Sequence, residues 1–328
     1  MKIGLSRFIY FTDQIKALLK KAGKEKDPAM WLFTNNARTP FFMLEGLARI
    51  YSKMHNPKKF DKLNEHFKLM EDGFGQIDHY NSLSVEFRGK KVIPADNKLY
   101  IKTKLDQSVR NLNQVLEEKN WLSDNDKRIK KITRKLKDAD WMDPDDEIKA
   151  ISDIYKSYIS GITKFVNQTN FHFDNVEKDV HELRRKLRWL SIYPQALQGA
   201  IQYAPATRSA AHLKKYLTEE IVNSPFNKLP PAGNNTSFLL LHKKYYLALS
   251  WMIARLGNIK DEGLLLIGMS ESLKQTTACT EEEALLNAEV LLGRKQRKLQ
   301  LILADAEDIT KTYISENNLQ RLISKIVP

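Results

Sequence analysis

One cysteine, Cys279, stands in 328 residues. That count excludes a disulfide scaffold and any Cys-rich zinc or iron–sulfur site, and it fits a reducing compartment. Glycine and proline are also scarce, 13 and 11 residues respectively, and both are bunched at a few places. A turn-rich β sandwich or barrel needs more of them, so long helices are expected instead. Apolar runs such as Phe238–Leu241 and 264–267 fall far short of the ~20 residues that cross a bilayer. Arg7 and Asp13 interrupt the apolar start and no small-residue cleavage site follows. A soluble cytoplasmic protein with no membrane partner is therefore expected. Enzyme signatures are missing as well: no P-loop, dinucleotide fingerprint, nucleophile elbow or His-Glu-x-x-His motif occurs. No histidine has a glutamate three residues before it, which removes the usual di-metal bundle pattern. A non-enzyme without a cofactor is the expectation, with Asp72, Asp78 and His79 the nearest approach to a metal-ligand group.

What is abundant is positive charge. Fifty-three Lys and Arg against 40 Asp and Glu leave a formal +13, while 42% hydrophobic residues suffice for a real core. Such an excess points to a polyanionic partner, or to a lysine-rich solvated surface, and says little about fold. Apolar periodicity predicts helices over 29–54, 58–85, 96–120, 127–137, from about 144 to 167, 174–193, 206–222, 237–256, 261–273 and 280–314. A short tail helix over 317–326 follows, and 87–94 is the one expected strand or extended loop. The fold class is all-α. The midpoint boundary falls in the polar break at 167–175, giving halves 1–168 and 169–328.

Two basic segments stand out. The first, 127–137, carries Lys127, Arg128, Lys130, Lys131, Arg134, Lys135 and Lys137 around apolar Ile129, Ile132 and Leu136. The acidic stretch that follows makes this a natural helix end and helix start, and Trp121 and Trp141 flank it. In the second, His181, Arg184, Arg185 and Arg188 fall at i, i+3, i+4 and i+7, so one helix face carries all four. With few acids on that turn, a polyanion or carboxylates from neighbouring helices must neutralise them; arginine forks suit phosphate.

His-x-x-Arg-x-x-x-Arg on a helix in such a chain resembles the conserved histidine α-helical domain (CHAD) family. Its members have two similar helical halves, each with such a helix and a downstream Leu-Gly-x-x-x-Asp element. Here the second half has His181, Arg184 and Arg188, then Leu256, Gly257 and Asp261. A degenerate first copy has Asn35 and Arg38, then Phe74, Gly75 and Asp78. The resemblance, over roughly 29–275, implies two pseudo-repeated antiparallel helical bundles, the second with an insertion around 195–240. It further implies non-catalytic binding of inorganic polyphosphate or a similar polyanion. The anion site it implies contains Arg38, His181, Arg184, Arg185 and Arg188, with Lys214, Lys215, Lys243 and Lys244 as further cations. Two other readings stay open. One is single-stranded nucleic-acid binding through 127–137 and its tryptophans; the other is metal-dependent phosphate-ester hydrolysis using His181 with Asp78 or Asp261.

Overall fold

A computed structural model describes residues 2–123, 125–205, 210–293 and 295–327. The chain is mostly helical, 73% helix and 4% strand, and it divides into two compact units. The first contains Met1–Trp141 and Leu265–Gln296; the second contains Met142–Leu264 and Arg297–Pro328. No helix among the described residues is long and apolar enough to cross a membrane.

The first unit opens with α1 (Ile3–Ala22), whose Phe8, Phe11, Ile15 and Leu19 are buried along one stripe. The single helix expected over 29–54 is two: α2 (Pro28–Thr34) and α3 (Arg38–Met54). Asp27 accepts from the Met30 amide at 3.1 Å to start α2, with Pro28 in the first turn, where a missing N–H costs nothing. Asn36, at φ 56°, then breaks the run; asparagine is among the few residues that tolerate the left-handed region. Helix α4 (Pro57–Gly89) runs through the segment expected to be extended as far as Gly89. Gly73 lets α5 (Ala95–Glu118) come close, since a Cβ there would lie 2.8 Å from Leu112 Cδ1. The core gathers Phe8, Tyr51, Phe60 and Trp141, with neighbouring ring centroids 5.2–6.0 Å apart. Helix α6 (Lys127–Lys137) packs against α1 through buried Ile129, Ile132 and Leu136.

In the second unit, α7 (Pro144–Gln168) buries an isoleucine-rich stripe and packs on α8 (Glu182–Ala196). A π-helical turn, Val176–His181, leads into α8, capped by Asn175, whose side chain accepts from the Glu177 and Lys178 amides. Pro194 lies inside α8 and cannot donate to the Leu190 carbonyl one turn back. The buried Tyr155 hydroxyl donates to that carbonyl instead, and Tyr246 donates to the Ser191 carbonyl at 3.2 Å.

The all-α expectation needs one correction, a small sheet. Strands β1 (Ile201–Tyr203) and β2 (Phe238–Leu241) pair in parallel, Ile201 opposite Leu239. Strand β3 (Ile323–Val327) joins β2 antiparallel, Leu239 opposite Ile326, where a tail helix was expected. Three- to five-residue strands give too short an alternation to separate from helix periodicity. The helix expected over 206–222 is instead a 3₁₀ segment, Ala211–Tyr216, followed by the short α9 (Glu219–Asn223); residues 206–209 lie outside the described part. Gly257 does not end a helix, because α10 runs unbroken from Lys243 to Thr276 and joins the expected segments; the helix expected over 237–256 is corrected at its start, where 238–241 is β2. The stretch 280–314 splits into α11 (Glu281–Leu292) and α12 (Leu299–Ser315) at Gly293, whose φ of 90° favours glycine.

Candidate functional site

The cations of α8 do not stand alone. His181 Nδ1 is 2.8 Å from Glu177 Oε1, one turn back in the π-helical segment. Glu182 pairs with Arg185 and, at 3.1 Å, with Lys186. The sequence expectation of few acids on that turn is therefore corrected: Glu177 and Glu182 reach the cations at i,i+4 and i,i+3 spacing. Arg188 is half-buried and engaged in interactions of its own.

Arg184 is held differently. Its Nε–H donates to the Ile253 carbonyl of α10 at 3.2 Å, and the guanidinium lies along the helix where Gly257 has no side chain. A Cβ on Gly257 would sit 3.0 Å from that Nε. The first unit holds a matching local arrangement. Arg38 donates from Nε to Glu71 Oε1 and from Nη1 to Asp78 Oδ2, both at 2.8 Å, and a Cβ on Gly75 would lie 3.1 Å from its Nη2. Glu71 precedes Gly75 by one helical turn, as Ile253 precedes Gly257.

Arg184 also lines a recess of about 350 Å³ in the second unit, together with Glu220, Trp251, Arg255, Asn258 and Asp261. A second recess of about 230 Å³ shares Trp251 and is lined further by Tyr216, Ile309 and Lys215. Lys215 pairs with Glu316 at 2.5 Å. The ammonium of Lys243 stands 5.8 Å from the Tyr203 ring centroid. Lys214 and Lys244 are exposed, and neither lines either recess. The nine residues expected at the anion site fall in both units. Arg38 belongs to the first unit, and the remaining eight lie in the second, spread over α8, the 3₁₀ segment and the start of α10. Asp72 is held by Lys68 and Asp78 by Arg38, and no group of three or more metal-ligating side chains occurs among the described residues.

Unpaired positive charge is dense on α6. Its apolar stripe is buried, so Lys127, Lys130, Lys131, Arg134 and Lys137 are exposed, with Arg128 and Lys135 half-buried. None of these seven forms an ion pair among the described residues. Arg128 lies over the Trp121 ring, 5.4 Å from its centroid. Lys62 and His66 of α4 feel the same charge. Burial pushes the His66 imidazole down to about 4, and Arg128, Lys135, Lys62 and Lys131 push it the same way. Burial likewise lowers Lys135, helped by repulsion from Lys62, Lys131, Arg128 and Arg134. Lys127, Lys131 and Lys135 recur every fourth residue, which places successive cations about 6 Å apart along the helix axis. Trp121 is 2% exposed, its indole inside the first unit beside Phe41. Trp141 is half-buried and donates to the Leu136 carbonyl at 3.0 Å. Neither indole is a free platform for a nucleobase.

Sequence reasoning missed Lys62 and His66 as members of this face. Their i,i+4 spacing on α4 was readable, but their nearness to α6 is tertiary and left no trace in the local pattern. No protein-family model matches the chain, and no curated protein or solved structure matches it.

Proposed function

We propose that the protein binds inorganic polyphosphate or a similar polyanion, without catalysis, on the basic face made by α6 and the Lys62–His66 turn of α4. The observation that carries this reading is the run of seven cationic side chains on α6 with no carboxylate partner among the described residues. Like charges crowded on one face raise the energy of the free protein, and an anionic chain laid along them relieves it while releasing counterions. The polar positions of α6 are all Lys or Arg apart from Thr133. They offer dense positive charge and hydrogen-bond donors, which suit the oxygens of a phosphate chain.

The Arg38–Gly75 and Arg184–Gly257 seats support a further element of the same reading, two pseudo-repeated helical bundles similar to the CHAD family. Under it both arginines are structural survivors of the repeat, and the polyanion contact has moved to α6. The rival nucleic-acid reading shares the α6 surface and differs in its ligand.

The test is titration with long-chain polyphosphate at two salt concentrations, with single-stranded RNA of matched charge as competitor. Loss of binding in Lys130→Ala/Lys131→Ala/Arg134→Ala, with retention in Arg184→Ala/Arg188→Ala, is the expected pattern. The reverse pattern returns the site to α8. Displacement of polyphosphate by RNA at equal charge concentration favours the nucleic-acid reading.

A further inference from the structure

The recess at Arg184 differs from the α6 face in sign as well as in shape. Its lining carries two guanidiniums, Arg184 and Arg255, and two carboxylates, Glu220 and Asp261. A polyanion entering it gains at the arginines and loses at the carboxylates, and a simple cation meets the opposite balance. A ligand bearing one charge of each sign is favoured at both ends. We propose that this recess binds a small zwitterion, an L-α-amino acid with an aromatic or large aliphatic side chain.

The geometry assigns each part of such a ligand a place. The carboxylate goes to Arg184, whose orientation is fixed before binding by the Ile253 carbonyl and by the bare Gly257 backbone beside it. A cation held in place in advance loses less rotamer freedom on binding. Asp305 steadies Arg255 from behind, accepting from its Nη2 at 2.9 Å while also accepting from Arg297 at 2.9 Å. The ammonium goes to the carboxylates of Asp261 and Glu220. Asp261 already pairs with Lys260 at 2.5 Å through one oxygen, and its side chain is 70% exposed. The ligand side chain lies against Trp251, which lines both this recess and the smaller one with Tyr216 and Ile309. At about 350 Å³ the space is at the small end of ligand sites and suits a metabolite better than a polymer.

Isothermal titration of the full chain tests this with L-phenylalanine and L-leucine, and with two halves of the former, 3-phenylpropionate and phenethylamine. Either amino acid should bind about tenfold or more tighter than either half, since one charge-assisted contact is lost in each. Arg184→Met and Asp261→Asn should each weaken binding by about tenfold or more, while the triple α6 variant leaves it unchanged. If Arg184→Met fails to fold by circular dichroism, Asp261→Asn still decides, because it alters only an exposed carboxylate. Equal binding of a half and the whole, indifference to Asp261→Asn, or no heat from either amino acid at millimolar concentration overturns the proposal. Displacement of the amino acid by polyphosphate also overturns it, and marks the recess as a plain anion site. The outcome is independent of the polyanion reading, which concerns the other unit.

Discussion

Removing charge from α6 is the sharpest perturbation the structure offers. Lys130, Lys131 and Arg134 are exposed, make no ion pairs among the described residues and lie off the buried stripe of Ile129, Ile132 and Leu136. Changing all three to alanine removes three positive charges, relieves repulsion on Lys135 and His66, and keeps strong helix formers on the exposed face. The melting temperature should therefore hold or rise slightly. Binding should respond through its salt dependence. If an anionic chain engages about four cations of the face, the slope of log K against log salt is roughly −3, and between 50 and 200 mM salt affinity falls about 50-fold. With three of the four removed, the slope flattens to roughly −0.7 and the same salt step costs only about threefold. Fluorescence anisotropy of end-labelled polyphosphate across that salt range measures both quantities. An unchanged slope in the triple variant would refute the assignment whatever happened to affinity at a single salt concentration, because the slope counts the neutralised charges directly.

Other consequences concern protons and packing. His66 is held near 4 in the free protein, so it is neutral there while its unfolded counterpart takes up a proton near 6.5. Stability is then fully present above about 6.5 and is lost as pH falls toward 4. Bound polyphosphate should lift the His66 pKa upward, readable from its ring proton shifts by NMR, and binding should tighten as pH falls through this window; a pKa unmoved by the ligand would place the anion elsewhere. Glu45, buried in α3 and raised to about 7 chiefly by burial, behaves oppositely. Its folded form holds a proton that the unfolded chain releases near 4.5, so stability declines as pH rises from 4.5 to 7. Glu45→Gln should accordingly stabilise the protein at pH 8 by roughly 2 kcal/mol and have little effect at pH 4 in denaturant titrations. Tyr155→Phe leaves the buried Leu190 carbonyl without the hydroxyl that replaces the Pro194 amide, and should cost about 1–3 kcal/mol by the same measurement; a cost under half of that would mean another donor takes over.

Long helices were legible where an apolar stripe persisted for several turns, as in α4, α5 and α7, because burial of one face is what their periodicity records. Breaks were less so. Asn36 and Gly293 end helices through a left-handed or glycine-favoured backbone, whereas Gly257 sits inside α10 and serves a packing need, making room for Arg184. One residue type answers two physical demands, and only the neighbour decides which. The sheet was hidden for another reason: β1 and β2 are far apart in sequence and each is too short to establish an alternating pattern.

The site shows the same division between local and tertiary information. In 127–137 no acidic residue occurs, while Glu177, Asp179 and Glu182 are interleaved with the cations of 178–188. Helix geometry brings residues three and four apart together, so α8 can neutralise much of its own charge and α6 cannot. That contrast is carried by residue order alone and argues for α6 as the place where an external anion is wanted. Lys62 and His66 lay beyond such reading, since α4 contributes them from 61 or more residues away along the chain. Their presence matters because it turns a basic stripe into a basic face: burial lowers His66 first, and Arg128, Lys135 and Lys131 of α6 add to it across the gap between the helices. A solvated lysine-rich surface spreads its charge to lower repulsion, whereas this one concentrates charge beside an imidazole that burial, and secondarily that charge, keeps neutral, and the repulsion falls when a counter-charge arrives.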